Sequence, residues 1–171
     1  MLELRQGVKH RREGVKASWG SEIVFRLAVA AGALVAIVLS RVAPAAAMQL
    51  AAIAAWIGLG LLWCGITLRL WSFRTLGRYF TFIVQTSGDQ PVITGGPYRV
   101  LRHPSYAGIL LAVMGLGLYI GNWLSLADLT IAVACGLVFR IRVEERALLQ
   151  NLGDDYRSYA ATHKRLVPFI W

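Results

Sequence analysis

The sequence predicts an all-α integral membrane protein with about four transmembrane helices, of which the last two form a tight hairpin. Of its 171 residues, 57% are hydrophobic and the mean hydropathy is +0.56, whereas soluble domains hold about 45–50% apolar residues. These residues are gathered into long runs, and most of the basic residues behind the net charge of +9 lie between alternate runs. Because this distribution follows the positive-inside rule, we attribute the charge to membrane topology and predict no nucleic-acid partner.

Residues 1–20 form a basic arm, which we expect to be solvated, poorly ordered and cytoplasmic. The apolar run over residues 23–40 is, at about 18 residues, long enough to span a bilayer. Its charged residue, Arg26, lies near the start, where the side chain reaches the interface. Ala45-Ala46-Ala47 matches a signal-peptide cleavage pattern. We expect an uncleaved span instead, because the arm is long and another apolar run begins at once.

The second run, residues 45–70, is rich in alanine and glycine. The pairs Ala51/Ala55 and Ala54/Gly58 have the spacing that lets helices approach closely in lipid. Residues 71–104 mix aromatic residues with arginines, which is typical of the headgroup region rather than of a span. Ser87-Gly88-Asp89 predicts a turn, and residues 91–94 predict a short extended segment.

Two further apolar runs, residues 106–120 and 123–141, are separated by Gly121-Asn122, which predicts a tight antiparallel hairpin. The helix from Trp123 exceeds the hydrocarbon thickness of about 30 Å. Its last turns, residues 140–146, therefore emerge into the interface or cytoplasm. Gly153 predicts its end, with a short amphipathic helix to follow. The outside segments then hold one basic residue, Arg41, so the N- and C-termini are predicted to be cytoplasmic.

The densest polar stretch of the chain is residues 94–108. Gly95-Gly96 permits close backbone approach to a ligand. Pro104 suits the first turn of a helix, so His103 lies just before a helix N-terminus, where anions are favoured. Tyr106 points back toward the same spot. The alternative is a simple helix entry at a membrane surface, with aromatic residues and arginines at the headgroups.

A second polar cluster, residues 140–146, lies across the hairpin at the same predicted depth. Arg140 and Glu144 are four residues apart and share one helix face. They form either an ordinary surface ion pair or, because ionisable groups at such depth tend to serve function, part of a binding site. Cys64 and Cys135 fall inside apolar runs and the histidines are scattered, so no metal site and no disulfide are predicted.

Both clusters resemble the signature of the isoprenylcysteine carboxyl methyltransferase family of integral membrane enzymes. The first match is Gly96-Pro97-Tyr98 followed by residues 102–108. The second is a closing pattern made of Glu144-Glu145, Leu148, Leu152-Gly153, Tyr156, Tyr159, Arg165 and Pro168. The resemblance covers residues 80–171, about half the chain.

The resemblance implies S-adenosylmethionine as cofactor, bound at the cytoplasmic face under a lid made by the loop and the C-terminal tail. It implies that Arg140 faces the acceptor as the catalytic residue. The implied cofactor-binding residues are Gln85, Gln90, Val92, Ile93, Tyr98, His103, Pro104, Ser105, Tyr106 and Glu144. Gln90 departs from the family pattern, in which a histidine is common. The predicted division is the arm (1–20), two transmembrane helices (21–72) and a catalytic region (73–171).

The predicted function is transfer of a methyl group, in one in-line displacement, to a lipophilic or small acceptor that is a carboxylate, thiol or amine. Membrane lipid is the expected environment, no obligate protein partner is evident, and the alanine-rich spans suit a bacterial inner membrane. Two alternatives stand beside it. One is an NADPH-dependent, sterol-reductase-like oxidoreductase, which shares a similar Arg-His-Pro-x-Tyr turn; the other is a non-enzymatic membrane scaffold.

Overall fold

The computed structural model describes residues 2–77, 92–168 and 171, with side chains from Trp19 onward. The described residues form four α-helices joined by loops and two short 3₁₀ turns. The helices are α1 (Leu2–Val42), α2 (Ala51–Leu76), α3 (Pro104–Ile120) and α4 (Trp123–Thr162), and the turns are Pro44–Ala46 and Gly96–Arg99. The all-helical prediction is thus confirmed. Gln85, Gln90 and the predicted turn at residues 87–89 lie outside the described residues.

Three of the helical stretches are long and apolar enough to cross a bilayer, and α3 is a shorter apolar helix. The three are Trp19–Val42, Ala51–Leu76 and Trp123–Thr162. Two predicted boundaries were wrong. The basic arm is the first part of α1, because its leucine, glutamate, lysine and arginine residues are good helix formers. Similarly, α2 continues to Leu76 through residues predicted to be interfacial.

The helices pack in the order α1, α4, α3, α2. In the α1–α4 contact, the Ser125 hydroxyl donates to the carbonyl of Ala36 at 2.7 Å. The α2–α3 contact is closer. A Cβ atom on Gly58 would lie 2.4 Å from the carbonyl oxygen of Gly115, and one on Gly65 would lie 2.4 Å from that of Gly108. Glycines seven residues apart on each helix therefore set this contact. Gly58 belongs to a predicted packing pair.

The α3–α4 hairpin is as tight as predicted. Gly121 is left-handed, with φ of 73°, and Asn122 caps α4 by accepting from the amides of Leu124 and Ser125 at 3.0 and 3.1 Å. The Asn122 amide donates to the carbonyl of Ala43 at 3.0 Å. The hairpin turn is thereby joined to the α1–α2 connection, and this end of the bundle is held together by a few polar bonds.

Gly153 interrupts α4 as predicted, with φ of 55° and ψ of −128°. This left-handed backbone conformation favours glycine. The chain turns there into a last helical segment that ends at Thr162 and buries Tyr156 and Tyr159. The kink directs the C-terminal part of the chain back toward the start of α3.

The glycine contact between α2 and α3 predicts a stability difference between two substitutions on α2. Gly65→Ala places a methyl group against backbone atoms of α3 and should lower the free energy of unfolding by about 2 kcal/mol. Gly60→Ala is the matched control, because no heavy atom lies within 4 Å of its added Cβ. Thermal unfolding in detergent, followed by tryptophan fluorescence, measures both. A Gly65→Ala variant as stable as Gly60→Ala would contradict this packing.

Candidate functional site

The polar stretch before α3 lies against α2, α4 and the C-terminal segment. Pro97 and Tyr98 are buried in the 3₁₀ turn. Gly96 has φ of 54°, and a Cβ there would lie 2.6 Å from the Thr75 hydroxyl oxygen. The glycine pair was predicted to permit close backbone approach to a ligand. In this structure Gly96 instead lies close to Thr75 of α2. Val92 and Ile93 are half-buried in the segment just before it.

His103 is the residue before the first turn of α3, as predicted, and it is buried with 5% exposure. Its Nε2 lies 3.3 Å from Glu145 Oε1, and its Nδ1 lies 4.0 Å from Glu144 Oε2. Its ring stacks on that of Tyr106, with centroids 5.5 Å apart and an angle of 6° between the planes. His103 is thus held between two carboxylates and an aromatic face.

The hairpin brings the two predicted clusters together at Tyr106. Arg140 Nε donates to the Tyr106 hydroxyl at 2.6 Å, and that hydroxyl donates to Glu144 Oε2 at 2.6 Å. Arg140 and Glu144 are therefore connected through the hydroxyl of Tyr106. The Glu144 side chain keeps 25% exposure whereas that of Glu145 keeps 8%, so Glu144 is the more open of the two carboxylates.

Two polar residues of the first half of the chain join this group and were not predicted. Glu22 of α1 forms an ion pair with Arg140, and the side chains keep 14% and 10% exposure. Arg69 of α2 donates to the Ser105 hydroxyl at 3.2 Å. The sequence held a signal for Arg69, since a charged residue inside an apolar run is a functional candidate by default. Glu22 stands directly before an apolar run, which is a weaker signal.

Glu145 is a third residue that was not among the predicted site residues. It pairs with Arg102 at 2.7 Å and with Arg165 of the C-terminal segment at 2.8 Å. The backbone amides of Arg102 and His103 donate to the carbonyls of Lys164 and Arg165 at 2.8 and 2.9 Å. Side-chain and main-chain bonds together hold the C-terminal segment over the start of α3, where the tail was predicted to act as a lid.

The last part of α4 also holds Tyr98 in place. Its carbonyl accepts from the Tyr159 hydroxyl at 2.7 Å, and its own side chain is 8% exposed. Burial, and secondarily the nearby Glu144, raise the pKa of the Tyr98 phenol well above its ordinary value. The phenol therefore keeps its proton to higher pH than a free tyrosine and is available as a hydrogen-bond donor.

The Glu145 network predicts that the C-terminal segment loosens when this one charge is removed. Glu145→Gln leaves Arg102 without its buried counter-ion and should cost about 3 kcal/mol. Hydrogen exchange at the amides of Arg102 and His103 should accelerate. The matched control is Asp154→Asn, whose ion pair with Arg157 is exposed and should contribute little. Equal exchange rates in the two variants would contradict this role of Glu145.

Residues 53–155 match the family described as phospholipid methyltransferase. The probable protein-S-isoprenylcysteine O-methyltransferase of Oryza sativa subsp. indica is 32% identical over 117 residues, which are 67% of this chain and 61% of that protein. Protein-S-isoprenylcysteine O-methyltransferase B of Arabidopsis thaliana is 32% identical over 115 residues, 66% and 58% of the two chains. The chain thus spans about 60% of the length of these relatives.

Among solved structures, the eukaryotic intramembrane Ras methyltransferase ICMT superposes with a TM-score of 0.71 and 28% identity. The match covers 85% of this chain and 52% of that one. The fold, the family match over more than half of the chain and the named relatives agree with the motifs before α3 and at the end of α4. The chain belongs to the isoprenylcysteine carboxyl methyltransferase family of integral membrane proteins.

Proposed function

We propose that this protein is a membrane-embedded methyltransferase that uses S-adenosylmethionine to methylate a lipophilic or small acceptor. The observation that supports the proposal most strongly is the Tyr106 hydroxyl, which joins Arg140 to Glu144 beside His103. This arrangement unites the two motifs that match the family. It also places an open carboxylate, a guanidinium and two aromatic rings at one position in a largely apolar protein.

The side chains present fit the chemical groups of this cofactor. The half-open carboxylate of Glu144 suits an ammonium group or a ribose diol. The start of α3 suits the carboxylate of the cofactor, since the side chain of His103 forms no capping bond to this helix. The rings of Tyr98 and Tyr106 suit a sulfonium cation or an adenine ring. Among the described residues, no group of three or more His, Cys, Asp or Glu side chains is arranged to hold a metal ion.

The remaining cofactor-binding residues are assigned by their position in the fold or in the family motif. Pro104 and Ser105 form the first turn of α3 beside His103, and Val92 and Ile93 precede the 3₁₀ turn that carries Tyr98. Gln85 and Gln90 are assigned from the family motif. We propose that this set, closed over by the C-terminal segment, lines one cofactor site within a catalytic region that begins near residue 73.

In the proposed mechanism the bound cofactor supplies an electrophilic methyl group, and the protein supplies position and a dry environment. Arg140 orients the acceptor, because a guanidinium binds a carboxylate in a fixed plane. Tyr106 fixes Arg140 relative to Glu144, so acceptor and cofactor sites share one rigid connection. The C-terminal segment, held by Glu145, excludes water. Alignment of the reactants and exclusion of water are the main contributions that such a displacement requires.

The acceptor proposed is lipophilic or small, with a carboxylate, thiol or amine as the methylated group. The named relatives are protein-S-isoprenylcysteine O-methyltransferases, and the matching family is described as phospholipid methyltransferase. Three helices long and apolar enough to cross a bilayer support a reaction at a membrane. The positive-inside rule supports a cytoplasmic site with both termini cytoplasmic, and we propose the bacterial inner membrane as the location.

Saturation binding of labelled S-adenosylmethionine to the detergent-purified protein tests this function. Wild type should bind, and both Glu144→Ala and His103→Ala should lose most of the affinity because each removes a side chain of the proposed site. Asp155→Ala, on the exposed surface of the last helical segment, is the control that should bind normally. Stabilisation by NADPH in place of S-adenosylmethionine would favour the oxidoreductase alternative, and no binding of either would favour the scaffold.

Removing a single hydroxyl tests the connection between the motifs. Tyr106→Phe keeps the ring but breaks the bonds to Arg140 and Glu144, and it should weaken cofactor binding about tenfold, since bonds to charged groups contribute about 1.5–3 kcal/mol. Tyr119→Phe is the matched control, because Tyr119 is 61% exposed on the same helix. Isothermal titration with S-adenosylmethionine measures both. An unchanged affinity in Tyr106→Phe would show that the hydroxyl does not organise the site.

A further inference from the structure

The ion pair between Glu22 and Arg140 concerns the acceptor rather than the cofactor. Arg140 Nε bonds to Tyr106, and its Nη1 lies against Glu22 Oε2. Both side chains of the ion pair are largely buried, with 14% exposure for Glu22 and 10% for Arg140. A carboxylate of the protein thus already occupies part of the guanidinium that the proposed function assigns to the acceptor.

Glu22 has a second cationic partner on its own helix. Its Oε1 accepts from Arg26 Nε at 2.8 Å, and the Arg26 side chain is 70% exposed. Arg26 lies one turn along α1, so a small rotation of the Glu22 side chain would keep one ion pair while giving up the other. This matters because a buried carboxylate that loses its only counter-ion costs several kcal/mol. Because Arg26 remains its partner, the Glu22 carboxylate can move away from Arg140 at a smaller cost in free energy.

We propose that Glu22 is a positioning residue that competes with the acceptor for Arg140: it neutralises Arg140 in the absence of acceptor and yields it to an acceptor carboxylate while staying paired with Arg26. The inference rests on the proposed function, since it takes Arg140 as the acceptor-binding group. A neutral head group cannot replace the charge of Glu22 on Arg140, so such a lipid leaves the ion pair in place and its binding does not depend on Glu22.

Two lipids that differ by one negative charge test whether an acceptor carboxylate replaces Glu22 at Arg140. S-farnesyl-3-mercaptopropionate carries a carboxylate, and its methyl ester is the neutral match. In Glu22→Gln the Glu22 carboxylate no longer competes for Arg140, so the mercaptopropionate should bind about tenfold more tightly than to wild type, with the ester unchanged. Arg26→Gln should act in the opposite direction and weaken binding of the mercaptopropionate several-fold. Binding to the purified full-length protein is read from the shift of the melting temperature across a titration.

A purely structural Glu22 gives a different result. Equal affinity of wild type and Glu22→Gln for the mercaptopropionate, parallel loss of both lipids, or no binding of either lipid to Glu22→Gln would overturn the inference. Arg26→Gln, on an exposed surface, tests the same exchange even where Glu22→Gln folds poorly. Labelled S-adenosylmethionine binding is measured on the same preparations. Its absence in wild type counts against the proposed function, whereas its presence without any Glu22 effect counts against this inference alone.

Discussion

The structure depends on the hydroxyl of Tyr106, which is hydrogen-bonded to both Arg140 and Glu144 between two membrane helices. Polar groups in an apolar surrounding must find partners within the protein, so these three side chains fix the depth and rotation of α3 against α4. Behind them, Leu101, Ala107, Ile141 and Leu166 form an apolar cluster. The cluster joins the loop, both helices of the hairpin and the C-terminal segment into one unit.

The packing of the other helices brings further polar side chains to the level of Tyr106. The Gly121-Asn122 turn makes α3 and α4 antiparallel neighbours, and the glycine contacts set α2 against α3. As a result α1 contributes Glu22 and α2 contributes Arg69 at the same level as the hairpin residues. Each of the four described helices therefore supplies at least one polar side chain to the site, although the family motifs lie in the second half of the chain.

Local sequence signals were sufficient to predict much of the fold. Proline at the first turn of α3, the glycine at residue 121 and the glycine at 153 each demand a particular backbone, and the structure has it in each case. Hydrophobic runs located the helices, but their ends were misjudged in α1 and α2, since good helix formers continue a helix past the apolar stretch. Arg69 stood out locally as a charge inside an apolar run. The contacts of Glu22, Arg69 and Glu145 could not be assigned from local patterns, because their partners lie 36 to 118 residues away or in a tail that folds back.

We propose that residues 98–106 and 140–145 form one S-adenosylmethionine site. Ultraviolet crosslinking of the methyl-labelled cofactor to the purified protein, followed by peptide mapping, tests it most directly. We expect label in peptides containing Tyr98 to Tyr106 and in those containing Arg140 to Glu145, with competition by excess unlabelled cofactor. Competable label confined to other parts of the chain, or no competable label at all, would contradict it.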